Sequence, residues 1–144
     1  MTKIANLSLA DLDARKASEG AFEFEYLQPD GETSGVFFSV LGGQSKIVQD
    51  EANRLINERR RKEAVQAAQA KTSRNTETYT SVENDVEFGQ RLAAVRVVGW
   101  RGIKETFSPE LALALCRSNQ DIASQVLERS NDMANFMKPS SSIS

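Results

Sequence analysis

At 144 residues and 15.9 kDa, with 40% hydrophobic and 26% charged residues, the chain is long enough to bury one core without a disulfide or metal staple. Eighteen basic and twenty acidic residues leave a net charge of −2 and a pI near 5.3, unlike the basic excess of a dedicated polyanion binder. The absence of histidine and a single cysteine, Cys116, exclude Ser-His-Asp and Cys-His nucleophile systems, Cys/His zinc sites and an internal disulfide.

Taken in chain order, Met1 to Ala10 holds only scattered apolar residues before Asp11 and Asp13, so no export signal is expected. No run of about 18 apolar residues offers a membrane span, and a soluble intracellular protein in a reducing cytosol is expected. Phe22-Glu-Phe-Glu-Tyr-Leu27 alternates apolar and acidic residues, the period of a half-buried strand. Pro29-Asp30-Gly31 supplies turn chemistry, and Val36 to Leu41 reads as the return strand of a β-hairpin over Ala21–Leu41. A two-stranded hairpin is marginal alone, so a third strand, a covering helix or a neighbouring subunit is required.

Ser45 to Ala70 contains neither proline nor glycine, and Val48, Ala52, Leu55 and Ile56 recur at helical spacing. Beyond Arg59 the apolar face thins to Ala64, Val65 and Ala68, as in a helix leaving the core. Thr72 to Ser81 holds six Ser or Thr in ten residues and reads as a linker, with Ser81 as N-cap of the next helix. That helix carries one stripe of Val82, Val86, Gly89, Ala93 and Val97 and a second of Phe88, Leu92 and Val95, the pattern of a central core helix. Gly99-Trp100-Arg101-Gly102-Ile103 breaks it at a corner. Ser108-Pro109-Glu110 then starts a short helix, Ser118-Asn119 interrupts it, and Gln120 opens a last one.

The expected architecture is α+β and mainly α. An N-terminal hairpin region (1–43) is followed by a long helix and linker (44–81), a compact C-terminal helical bundle (82–137) and a frayed tail (138–144). Net charge shifts from −4 over residues 1–43 to +3 over 44–71, so these parts attract one another within or between protomers.

Chemistry-bearing motifs are absent. No Gly-x-Ser-x-Gly elbow or Ser-x-x-Lys dyad occurs, and Gly42-Gly43-Gln44-Ser45-Lys46 lacks P-loop spacing and reads as a hairpin-to-helix turn. Glu23 and Glu25 share a strand face but alternate with aromatic residues, which makes them a solvated face rather than a catalytic pair. Asp11 and Asp13 lack the glycine and distal glutamate of a calcium loop. No catalytic residue, metal or cofactor is therefore expected. Arg59-Arg60-Arg61-Lys62 suits a solvated helix face, an acidic protein partner or, least, nucleic acid, since no aromatic residues interleave. Trp100, between two glycines, suits either a core corner or an interface anchor.

The C-terminal half carries a further pattern: Val98-Gly99-Trp100-Arg101-Gly102-Ile103, then Phe107-Ser108-Pro109-Glu110, then Leu115, Asn119, Ile122-Ala123, Val126, Ser130 and Asn135-Phe136. It resembles the tail assembly chaperones of long-tailed bacteriophages, which show a V-x-G-W-x-x-I corner, an F-S-x-E helix start and an N-F ending. The resemblance spans roughly residues 82–137, about 40% of the chain. It implies a non-enzymatic protein of the infected host's cytoplasm, absent from the mature virion. Such a protein binds the tape-measure protein, keeps it soluble and promotes tail-tube assembly, with the tail-tube protein as a further partner. From the residues themselves, a hairpin too small to stand alone and a long helix outrunning its apolar face supply places for self-association, so a homo-oligomer is expected. The residue reading leaves open a structural virion protein (a tail or head–tail component) or a phage regulatory or nucleic-acid-binding module. A long helical client calls for a groove of large apolar side chains. The residues expected to form it are Trp100, Phe107, Leu111 and Leu115, with Phe136 closing one side; alternatively all five are core.

Overall fold

The structure, a computed structural model, describes residues 4–73 and 82–137. It is a mainly helical α+β fold built around a three-stranded antiparallel sheet. In chain order come a 3-10 turn (Leu9–Leu12), α1 (Ala14–Ala17), β1 (Phe22–Leu27), β2 (Thr33–Val40) and α2 (Lys46–Ser73). Then follow α3 (Val82–Arg96), β3 (Val97–Arg101), α4 (Pro109–Ser118), α5 (Gln120–Asn131) and a second 3-10 turn (Met133–Asn135). The expected Ser81 cap, most of the Thr72–Ser81 linker and the 138–144 tail lie outside the described residues.

The hairpin forms where expected. Gly31 takes φ +86 in the turn and its N–H donates to the Gln28 carbonyl at 2.8 Å, while the Asp30 carboxylate accepts from Glu32 N–H at 3.0 Å. Its missing partner is β3, which pairs with β2 in the order β1-β2-β3 and aligns Phe24, Phe38 and Trp100 across the sheet. This corrects the reading of Val97 as helical and of Gly99–Ile103 as a simple corner. The helix ends at Arg96, and the β-branched pair Val97-Val98 enters a strand with no intervening loop. The outer edge of β1 is closed at one point, where the Gln125 side chain accepts from Leu27 N–H at 3.0 Å and donates to the Leu27 carbonyl at 2.7 Å.

One face of the sheet packs on the helices and the other faces water, as antiparallel sheets allow. On the outer face Arg101 donates twice to Glu23, at 2.8 and 3.0 Å, and lies 4.0 Å from the Phe37 ring centre. On the inner face Phe24, Phe38 and Val40 join Ala93, Ala112 and Val126 in a single core, so hairpin and C-terminal helices bury one another. Helix α3 is central to this core through its C-terminal half; Ala93 and Ala94 are buried, whereas Val86 is exposed. Helix α4 starts on Ser108, whose hydroxyl accepts from Leu111 N–H at 3.1 Å, and α5 starts on Asn119, which accepts from Ile122 N–H at 3.1 Å.

The 28-residue α2 anchors Val48 and Leu55 in the core and then leaves it; residues 61–69 are exposed, as the thinning apolar face implies. Its outer half meets α3 through charge, with Arg59 paired to Asp85 and lying over the Phe88 ring, and Arg91 3.7 Å from Glu58.

A buried arginine ties the pieces together. Arg96 is only 7% exposed and donates to the Leu92 carbonyl (3.1 Å), the Ser130 hydroxyl (3.2 Å) and the Asn131 side-chain oxygen (2.6 Å). None of these partners is a carboxylate. Its charge instead faces the C-terminal ends of α3 and α5, where helix dipoles favour a cation. The same knot holds the exit of β2, since Leu41 N–H donates to the Arg96 carbonyl and the Ser130 hydroxyl donates to the Leu41 carbonyl.

Candidate functional site

At the hairpin end of the sheet, the inner face and α4 do not close on each other. They leave an apolar groove of about 750 Å³. Val36, Phe38 and Trp100 from the sheet form one wall and Leu111, Leu115 and Ile122 the other. Gln28, Ser34, Glu105 and Ser118 add polar atoms at its margins. The size suits a few inserted side chains, and the lining follows the usual pattern of apolar walls with sparse polar groups.

Trp100 is held firmly. Its ring meets Phe38 edge-on at 6.3 Å and Phe107 edge-on at 5.2 Å, and its indole N–H donates to the Glu105 carbonyl at 2.9 Å. The remaining surface of the half-buried ring faces the groove. A rigid aromatic with its polar atom satisfied is a low-entropy contact surface. The corner that presents it depends on Gly102. This residue takes φ +87, and a Cβ there would stand 2.2 Å from the Gly35 carbonyl oxygen, so the β3 exit and the β2 backbone meet too closely for a side chain.

Of the five residues expected to form the site, Trp100, Leu111 and Leu115 line the groove, and Leu111 is 39% exposed. Phe107 stands behind Trp100 as its packing partner. Phe136 lies elsewhere: its ring meets Phe22 edge-on at 5.9 Å, at the end of β1 opposite the groove, so it closes no side of it. Tyr26, Val36, Phe38, Ile103 and Ile122 belong to the groove and were not expected there. The alternation of β1 marks Tyr26 as inward-facing, but only the cross-strand register brings it near α4.

The other chemical candidates are structural. Arg101 donates to Glu23 and holds its carboxyl below the usual carboxylate range. Burial pushes the Cys116 thiol up to about 11, which leaves it unreactive at neutral pH. Within the basic run, Arg59 pairs with Asp85 and Lys62 with Glu58 at 3.5 Å. Arg60 and Arg61 are exposed and make no ion pair among the described residues. Among those residues no cluster of three or more Cys, Asp or Glu side chains suits a metal ion, and no helix is long and apolar enough to cross a membrane.

An alanine- and arginine-rich helix thus runs out of a small α+β core that carries an apolar groove. A family model described as YdaY prophage protein matches residues 44–142, from the turn before α2 onward. The chain belongs to this family and is phage-derived. No curated protein and no solved structure matches it.

Proposed function

We propose that this prophage protein is a non-enzymatic tail assembly chaperone. It binds the tape-measure protein in the host cytoplasm, keeps its long helices soluble, assists tail-tube assembly together with the tail-tube protein, and leaves before the virion is complete. The observation that supports this reading best is the preformed groove with Trp100, Leu111 and Leu115 on its walls. An amphipathic helix laid into such a groove buries its apolar stripe, the helix-in-groove mode. The resemblance of residues 82–137 to tail assembly chaperones supports a client of that kind, and the prophage family supports a phage origin. Catalysis has no assigned role in this reading.

The test is co-expression with the tape-measure protein of the same prophage. The native chain is expected to keep the client soluble and to co-purify with it. Leu111→Asp, at an exposed position, is expected to retain its melting temperature while weakening capture by a factor of at least about 30, the loss of one interface anchor. Undiminished capture by that variant, with normal folding, refutes the groove as the site. Stoichiometric amounts of the protein in purified virions would make it a structural component instead.

A further inference from the structure

We infer that, without a client, the groove is occupied by the outer half of α2 from a second copy of this chain. The inference rests on the groove being a helix-binding surface, as proposed above. The first observation is charge. The hairpin tip, Gln28 and Pro29, forms one groove margin beside the acidic Asp30 and Glu32, with no basic residue in the turn. Glu105 lines the groove, and Glu110 stands next to Leu111, against the single cation Lys104 between Gly102 and Cys116. The margin is therefore acidic.

The second observation is the helix. Leu55, Glu58, Arg59 and Lys62 of α2 face α3, so the opposite side of its outer half carries Arg60, Arg61 and Ala64. These three are exposed, and Val65 beside them is 51% exposed. Alanines let a helix approach an apolar floor closely, and the two arginines reach the acidic margin, where a guanidinium meets a carboxylate in its preferred geometry. At 28 residues α2 is about 42 Å long. Its outer half therefore projects from the core that holds Val48 and Leu55, as a neighbour's groove requires.

Exchanged reciprocally between two copies, the groove-to-helix contact closes as a two-fold, isologous dimer. Its consequence is a shielded groove that a client helix must win by displacement.

Sedimentation of the full chain without client, across concentrations up to about 50 μM, reads this association directly. Association is expected at about 50 mM salt and is expected to weaken several-fold by about 300 mM, since exposed charges carry it. The fluorescence of Trp100, the only tryptophan, is expected to shift to the blue as copies associate. Reversing the helix charges (Arg60→Glu with Arg61→Glu) or the margin charges (Glu32→Lys with Glu105→Lys) is expected to weaken association at least about tenfold. Mixing the two variants restores it, because each contact then pairs opposite charges again. A wild-type monomer throughout the range, either variant associating like wild type, or a mixture that stays monomeric overturns the inference. Client capture by the helix-reversed variant, whose groove is intact, is measured separately. Failure there refutes the chaperone reading, whereas failure of the mixing test refutes only self-association.

Discussion

Three glycines of this fold have positive φ, and the structure separates what each would lose on gaining a methyl group. Gly31 (φ +86) and Gly35 (φ +74) have no atom within 4 Å of an added Cβ. For them, alanine meets only backbone strain, about 1–2 kcal/mol. Gly102 has nearly the same φ, +87, but its Cβ would lie 2.2 Å from the Gly35 carbonyl oxygen and 3.2 Å from Val36 Cα. Neither neighbour is a flexible side-chain end, so β2 and β3 must part, and pairing as well as strain is lost. Gly102→Ala is therefore expected to cost about 3–5 kcal/mol, where overpacking a tight site alone costs 1–3. The assay is urea unfolding followed by Trp100 emission, with Gly31→Ala and Gly35→Ala as controls matched in φ. A loss in Gly102→Ala within about 0.5 kcal/mol of the controls would refute the reasoning, because it would leave the close backbone approach without energetic weight.

Replacing Arg96 by Ala is expected to cost about 3–5 kcal/mol by urea unfolding, since it strands the Asn131 side-chain oxygen and empties a buried site. Arg96→Met, which refills the volume and removes the desolvated charge, is expected to recover at least about 1 kcal/mol of that. Because the Cys116 thiol is raised from 9.0 to about 11 in the folded chain, its contribution is complete below pH 9.0 and lost as pH rises toward about 11. Cys116→Ala should flatten the decline of stability across that window, and native Cys116 should resist alkylation at pH 8 until urea unfolds the chain. Phe107→Ala, behind Trp100 rather than on the groove wall, is expected to lower stability by about 3 kcal/mol by the same urea assay and to loosen the indole, seen as faster quenching of Trp100 emission.

Signals carried by neighbours in sequence were legible. Alternation marks β1, the Pro29-Asp30-Gly31 turn marks the hairpin, and Ser108-Pro109 and Asn119 mark the starts of α4 and α5. The 3-10 turn at Leu9–Leu12 went unread although Ser8 and Asp11 form a capping box there, because four residues carry no periodicity. Strand β3 was missed for a different reason. No glycine, proline or polar break separates it from α3, and Val97 fits the helical stripe as well as the strand. Half of the groove was hidden because Tyr26, Val36 and Phe38 reach it only through strand register, a non-local property. Phe136 was misplaced on similar grounds. Its position after the last helix says nothing about which end of the sheet that helix leaves it on.

The direct passage from α3 into β3 leaves one short segment of this chain little slack. Arg96 must stay in the buried knot and Trp100 on the groove wall, with only Val97, Val98 and Gly99 between them. Strand β3 already carries one irregularity against β2, between Val97 and Gly99, and side chains alternate along a strand, so a residue inserted after Arg96 that this bulge does not take up turns the rest of β3 over. Trp100 would then stand in water beside Phe37, and the guanidinium of Arg101 would face the apolar groove. Substitutions at Val97, Val98 or Gly99 are therefore expected to cost this fold less than an insertion there.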